Sequence, residues 1–216
     1  MDMLTHETAY RGEDAINKVK VKPIIVGGCG AIGSNLIYNM AKQGFENISV
    51  IDDDRIEKHN TGSQMWSMRE VNGKKVQIMK NMVFAATGKV AIKDIDKKLT
   101  ESSIKKLIGN DKNSIFIDGF DNAEARGLVT NYCKDNKLEC LHIGLSDTYA
   151  EVVWNDNYIV PSGKKAGPDV CEYPLSRNIA MFAVTIGIET LIKFITEGIK
   201  KSYSITLKDL KISELD

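Results

Sequence analysis

Cysteine is scarce and unpatterned. The four present, Cys29, Cys133, Cys140 and Cys171, form no C-x-x-C pair and no zinc-ligand spacing, so neither a disulfide framework nor a structural zinc is expected. With eight methionines and no cysteine framework, the chain suits a reducing compartment, and a cytoplasmic location is the expectation. Neither sign of charge is in excess. The 29 basic and 29 acidic residues cancel, which leaves no electrostatic pull toward nucleic acid or an anionic membrane, and neither is an expected partner. The opening MDMLTHETAYRGED lacks the basic-then-apolar pattern of a signal peptide. Long hydrophobic runs are missing too. The longest uncharged apolar stretch, residues 178–188, ends at Glu189, with Lys193 beyond; it falls short of the roughly 20 residues a bilayer requires and reads as a buried core helix. There are no repeats, no low-complexity tract and no interdomain linker.

What is present is an ordinary globular composition, 43% hydrophobic and 27% charged over 216 residues, enough for one large domain, or one domain with a small appendage, with a real core. Its most informative stretch is IIVGGCGAIGSNLIYNMAKQGFENISVIDDD. A short apolar strand (24–26) runs into Gly28-Cys29-Gly30-Ala31-Ile32-Gly33, a G-x-G-x-x-G match. A helix over 34–43 and a second strand over 48–51 follow, the latter ending in Asp52. This strand–turn–helix–strand–acid order is that of a nucleotide site. Gly28 permits the turn, Gly30 lets backbone N–H groups approach phosphate, and Gly33 lets the helix pack on the strand. The helix start offers free N–H groups and the positive end of its dipole. Asp52 stands where an acid accepts hydrogen bonds from ribose hydroxyls. On this segment alone a NAD-dependent oxidoreductase remains open.

Strands and helices then alternate. The pattern predicts a loop over 55–66, a helix over 71–85, a strand over 90–95 and a short helix over 102–108. Beyond them come a strand over 114–117 that ends in Asp118, a helix over 122–136 and a strand over 138–143. From residue 150 the texture changes. AEVVW and YIV on either side of Asn155-Asp156-Asn157 predict a hairpin, 161–174 a loop, 176–198 a long helix and 203–207 a last strand. The fold class is therefore α/β: a Rossmann-like, mostly parallel sheet with helices on both faces and antiparallel strands in the C-terminal part.

Beyond Asp52 the residues argue against a dehydrogenase. Asp53 and Asp54 follow, then Asn60, Gln64 and Lys75; later, Asp118 precedes Asp121, Asn122 and Arg126. In order, the stretches are GCGAIGS, DDDRIEKHNTGSQ, VNGKKVQIMK and DGFDNAEAR. Here the chain resembles the ubiquitin-activating-enzyme-like superfamily of the ThiF, MoeB and HesA type. That family's pattern is a glycine loop, D-x-D-x-V-x-x-x-N-x-x-R-Q, a lysine near a helix start, and D-N-x-x-x-R after a later strand. The motifs cover residues 24–130, and the closing YSITLKDLKI matches more loosely.

The resemblance implies a single adenylation domain over 1–216. It comprises an N-terminal arm (1–20), a nucleotide-binding part (21–148) and a carrier-binding and dimer-forming part (149–216). It implies ATP and magnesium, adenylation of the C-terminal carboxylate of a ubiquitin-like or sulfur-carrier protein ending in Gly-Gly, release of pyrophosphate, and a homodimer. Carried over residue by residue, Gly28, Gly30, Ala31 and Gly33 would hold phosphate, and Asp52 ribose. Asp54 would support the loop. Asn60, Gln64 and Lys75 would contact phosphates, Asp121 would hold magnesium, and Asn122 would complete the nucleotide site. Such a site needs no histidine or serine nucleophile, because the attacking carboxylate is already ionised.

Each residue has a plainer reading beside this one. Lys75 fits a solvated surface charge; Asp121 and Asn122 fit a helix cap; Asn60 fits a turn; Asp52 fits a strand end. Lys75 and Asp121 are both expected at the surface of a cleft. Arg126 reads as a structural ion-pair partner, and Cys29, Cys133 and Cys140 as packing residues. His59 has no assigned role. Met181, Phe182, Ile186 and Phe194 read as core first and as a dimer face second. Ser63 stands where the family has arginine, which motivates Arg11 as a cation supplied across a dimer, with Arg55 or Arg69 as substitutes, and also motivates an inactive partner subunit or scaffold. Cys171, between Asp169 and Glu172, lies where some relatives carry a thioester-forming cysteine. A tRNA-modifying dehydratase within the same family lacks the support of a basic surface.

Overall fold

A computed structural model describes residues 2–161 and 175–215. Eight strands form one sheet in the order β3-β2-β1-β4-β5-β6-β7-β8. The first five are parallel: β1 (Ile24–Gly27), β2 (Ile48–Ile51), β3 (Lys93–Ile95), β4 (Ile115–Asp118) and β5 (Glu139–Ser146). The last three add on antiparallel: β6 (Tyr149–Trp154), β7 (Ser202–Thr206) and β8 (Lys211–Leu215). This is the expected mixed α/β sheet.

The parallel strands are apolar on both faces because helices cover both. Ile24, Val26, Ile48, Val50, Ile115, Ile117, Leu141 and Ile143 point to one side. There they meet α3 (Ala31–Lys42), α4 (Lys75–Thr87) and α7 (Arg177–Glu197). Ile51, Phe116 and Cys140 point to the other, against α5 (Ile104–Ile108) and α6 (Ala123–Asp135). Each fully buried aliphatic side chain in these layers contributes about 1.5–3 kcal/mol.

β2 begins and ends where the sequence places it, and the predicted helices differ from the observed ones by a few residues at their ends. Three expectations shift. The hairpin lies one unit upstream: β5 turns into β6 through Asp147, a non-glycine residue at φ 53°. Asn155-Asp156-Asn157 forms a separate turn, and residues 158–160 are not a strand. The chain gains β8 beyond the strand expected to be last. The N-terminal arm is helical: α1 (Thr5–Arg11) and α2 (Glu13–Val21), with Ile16 and Val19 buried.

By length and composition alone α7 meets the criteria of a membrane span. In this fold it is a core helix. It packs against α3, β5 and β6, and Ile179, Ala183, Val184, Ile188 and Leu191 are buried. Two readings on residues 161–174, the loop and the role of Cys171, concern a segment that lies outside the described residues apart from residue 161.

Candidate functional site

The strand order places β1 and β4 side by side while their helices run to opposite faces. This is the switch point where ligands of open α/β sheets bind, beyond the carboxyl ends of the strands. Backbone hydrogen bonds lace those ends together. Gly28 N–H donates to the Ile51 carbonyl and Gly119 N–H to the Gly27 carbonyl, both at 2.9 Å. Gly28 sits at φ 88°, which an L side chain rarely adopts. A Cβ on Gly33 would collide with the Gly28 carbonyl, so that glycine lets α3 start against the strand. Gly30 has open space beside it, with only the Gln64 side-chain nitrogen as near as 4.0 Å from a built Cβ. No side chain caps α3 and no acid stands in its first turn, so its leading N–H groups face that space unpartnered by a side chain.

Asp52 ties the glycine loop to the segment after β2. One carboxylate oxygen accepts the Cys29 N–H at 2.6 Å, the other the Asp54 N–H at 2.8 Å. Burial pushes the Asp52 carboxyl up, against the opposing pull of Lys75. Lys75, first residue of α4, is only 6% exposed, and its ammonium lies 2.7 Å from the Asp54 carboxylate. Burial works to lower its pKa, but Asp52 and then Asp54 outweigh it and the net direction is up. The expectation of a surface lysine is therefore corrected: Lys75 is buried among carboxylates. Cys29 is fully buried, and burial drives its thiol well above the ordinary range, so it packs rather than reacts.

A 3-10 turn, Lys58–Gly62, carries the next group. The Asn60 side-chain oxygen accepts the Glu57 N–H at 2.9 Å, and its amide nitrogen lies 2.9 Å from His59 Nε2. Asn60 thus shapes its own turn and partners His59. Gln64 accepts the Trp66 indole N–H at 2.6 Å, which leaves its amide nitrogen directed toward Gly30. The turn is docked on α3 by residues the sequence reading missed. Asn35 donates to the carbonyls of Ala31 (2.7 Å) and Ser63 (3.1 Å), and Ser34 Oγ accepts the Met65 N–H at 3.2 Å. Their signal was available: two adjacent polar residues, one turn into a helix whose first three residues are Ala31, Ile32 and Gly33.

Asp121 is exposed, three residues past the end of β4, and its carboxylate accepts from the Asn122 amide at 3.4 Å. Asn122 also accepts the Ala125 N–H at 2.8 Å and so caps α6, as its plainer reading held. Among the described residues no three His, Cys, Asp or Glu side chains cluster to cage a metal. The single exposed carboxylate of Asp121 fits a magnesium ion carried mainly by substrate phosphates and water.

A second ionic cluster lies nearby. Asp118 is fully buried; it receives the Phe120 N–H at 3.0 Å and pairs with His142 Nδ1 at 2.7 Å and with Arg126 at 3.5 Å. His142 Nε2 meets Asn155 Oδ1 at 2.7 Å, and the ring stacks on Tyr158 at 3.7 Å. Arg126 donates to the Tyr158 hydroxyl and the Ile143 carbonyl, which makes it a structural ion-pair partner.

Of the three arginines proposed to compensate for Ser63, two are engaged elsewhere and the third is exposed. Arg11 pairs with Glu7 and Glu189, both at 2.8 Å, and pins α1 to α7. Arg55 donates to the Asn72 carbonyl, and Arg69 is an exposed residue of a short 3-10 turn, Met68–Glu70. A hollow of about 300 Å³ lined by Glu151, Tyr158, Ile159 and Leu215 lies over the antiparallel strands, and none of the glycine-loop residues lines it.

A model of the ThiF family matches residues 5–171. The tRNA threonylcarbamoyladenosine dehydratase of Haemophilus influenzae is 26% identical over 132 residues, 61% of this chain and 50% of that protein. The NEDD8-activating enzyme E1 catalytic subunit of Arabidopsis thaliana is 33% identical over 107 residues, 49% of this chain and 23% of that one. The chain thus spans half or less of either relative. Among solved structures, E. coli MccB with MccA-N7isoASN superposes with a TM-score of 0.82 at 17% identity, covering 98% of this chain and 69% of MccB. MccB has also been solved with ATP. At that identity the likeness shows the fold.

Proposed function

The chain belongs to the ThiF family, and from that premise we propose that it activates a carboxylate by adenylation with ATP and magnesium. In this reading the carboxylate is the C-terminus of a ubiquitin-like or sulfur-carrier protein ending in Gly-Gly. One of its oxygens attacks the α-phosphorus. The bond from that phosphorus to the β-phosphate's bridging oxygen breaks, and pyrophosphate leaves with the electron pair. The nucleophile is ionised at neutral pH, so the protein's task is positioning and charge stabilisation.

The observation that carries this reading is the joint between Asp52, the glycine loop and the buried Lys75. Asp52 retains lone pairs for ribose hydroxyls while its two backbone contacts hold the loop in shape. The Gly28–Gly33 loop, Ala31 included, would hold phosphates at the start of α3. Asn60 and Gln64 would add amide donors. Lys75 would exchange Asp54 for phosphate oxygens. Asp121, on a loop fixed by Asn122, would hold the magnesium, whose contribution is to neutralise charge on the departing pyrophosphate. A cytoplasmic homodimer remains part of the proposal. Arg11 reaches a partner's site only by leaving Glu189. Cys171 is a candidate to accept the activated carboxylate as a thioester, which Cys171→Ser tests by trapping.

ATP–pyrophosphate exchange with purified protein and Gly-Gly-terminated carriers tests the reading. Carrier-dependent exchange that disappears when the carrier's C-terminus is amidated is the expected result. ATP binding without exchange for any carrier would favour the inactive-partner alternative. The relatives named tRNA threonylcarbamoyladenosine dehydratases favour a second reading, in which the carboxylate belongs to a threonylcarbamoyl group on tRNA. Exchange driven by tRNA instead of a carrier would replace the first reading with this one.

A further inference from the structure

Around the glycine loop the described charges are unbalanced. Asp52, Asp54 and Asp121 bring three carboxylates to the segments at the loop. Lys75 pairs with Asp54 and feels the charge of Asp52, so it is already committed to two of the three. A nucleoside triphosphate would add further negative charge. The turn closest to Gly30 offers amides from Asn60 and Gln64 and a neutral Ser63; its lysine, Lys58, is exposed and opens the turn, five residues before Ser63.

A cation reaches that turn from elsewhere in the chain. Arg177, the first residue of α7, donates from one terminal nitrogen to the Gly62 carbonyl at 2.9 Å. That hydrogen bond spans 115 residues of sequence and ends one residue from Ser63. Arg177 is exposed, and among the described residues no carboxylate pairs with it. A guanidinium has five N–H groups in a planar fork suited to phosphate, and this contact uses one of them. Space beside Gly62 is open, with nothing within 4 Å of a built Cβ. The turn itself is fixed on the first turn of α3 by Asn35 and Ser34, so a group held at Gly62 is held close to the phosphate-facing helix start. The position is also a poor one for a cation on helix grounds, because it adds positive charge to the positive end of the α7 dipole and no acid in that first turn offsets it. An anion at the site would relieve that cost.

We propose that Arg177 supplies, within the same chain, the guanidinium that contacts the β- or γ-phosphate beside the Gly62–Gln64 turn. This rests on the adenylation reading, and it sets Arg177 against Arg11 of a partner subunit as the source of the missing charge. Glu189, which holds Arg11, lies about 18 Å along α7 from Arg177 at 1.5 Å rise per residue, so the two arginines occupy separate places.

The test titrates ATP and AMP, each with magnesium, into wild type, Arg177→Ala, Arg177→Lys and the double variant S63R/R177A, and measures pyrophosphate exchange where a carrier is found. Arg177→Ala should weaken ATP about tenfold, leave AMP within about twofold, and lower exchange about 10²-fold. Lysine should restore part of the loss. Ser63→Arg in the Arg177→Ala background should restore ATP affinity. ATP affinity unchanged in Arg177→Ala, ATP and AMP weakened alike, or no restoration by Ser63→Arg each overturns the assignment. ATP binding is read separately from exchange, so wild type that binds ATP but never turns over removes the adenylation reading while Arg177 is still decided. Wild type that fails to bind ATP removes both.

Discussion

Two ionic clusters sit at the carboxyl ends of parallel strands on either side of β1, and they are built to opposite specifications. Around Asp118 everything is closed. The carboxylate and His142 are fully buried, both imidazole nitrogens face oxygen acceptors, and Arg126 spreads its donors over Asp118, Tyr158 and the Ile143 carbonyl. Around Asp52 capacity is left over. The first turn of α3 has no side-chain cap, Lys75 rests on an Asp54 side chain that is 64% exposed, and Asp121 has little to hold. A charged cluster with every group satisfied is scaffold. One with donors and lone pairs to spare, opening onto a glycine loop, is where a ligand completes the bonding.

The sharpest way to break this comparison is to remove Asp118. Asp118→Ala leaves Arg126 and His142 buried without their shared anion and should cost about 3–5 kcal/mol of stability by denaturant unfolding. A loss under 1 kcal/mol would mean that the closed cluster is not scaffold. Removing Lys75 should act mainly on function. Lys75→Met should lower pyrophosphate exchange by about 10²–10³-fold, with a smaller stability loss because its nearest partner, Asp54, is mostly in solvent.

Lys75 also gives a pH signature. Asp52 and Asp54 raise its folded-state pKa above the ordinary 10.5 despite burial, so the folded protein holds that proton more tightly than the unfolded chain. Its stabilising contribution is therefore complete below pH 10.5 and is lost as pH rises beyond that value. The stability gap between wild type and Lys75→Met should shrink on alkaline titration above that point and stay constant below it. A gap that grows with pH would reverse the assigned sign.

The smallest effects separate neighbours. Asn122→Ala should cost about 1 kcal/mol through loss of the α6 cap. Asp121→Asn should change stability by less than about 0.5 kcal/mol while reducing exchange at limiting magnesium. Equal stability losses in the two variants would erase the distinction between cap and metal ligand.

Much of the open cluster was legible in the sequence because its residues fall in ordered local motifs. Gly28, Gly33, Asp52, Asn60, Gln64 and Lys75 all lie within one βαβ unit or just beyond it, where spacing encodes geometry. The burial of Lys75 was not legible, since a lysine in a GKK run looks like surface until its α4 position is seen to face Asp52. The closed cluster was less legible still. Asp118 and His142 meet through the β4–β5 register, and Asn155 joins them from a turn whose Asn-Asp-Asn chemistry pointed to a hairpin. The true hairpin turns at Asp147, and the turn before β8 includes Leu210 at φ 53°; neither carries the glycine that would announce it. The N-terminal helices went unseen because α1 has no side-chain cap and no buried residue to set an apolar period. Arg177 was invisible because only the packing of α7 on α3 brings it to Gly62.

The most direct test of the central claim is a calorimetric titration of the wild-type protein with ATP and magnesium beside one with NAD. The glycine loop alone admits both ligands; Lys75, Gln64 and Asp121 around it suit a triphosphate and its metal. ATP binding that depends on magnesium, is lost in Lys75→Met and exceeds any affinity for NAD is the predicted result. NAD binding tighter than ATP, or ATP binding indifferent to Lys75, would contradict it.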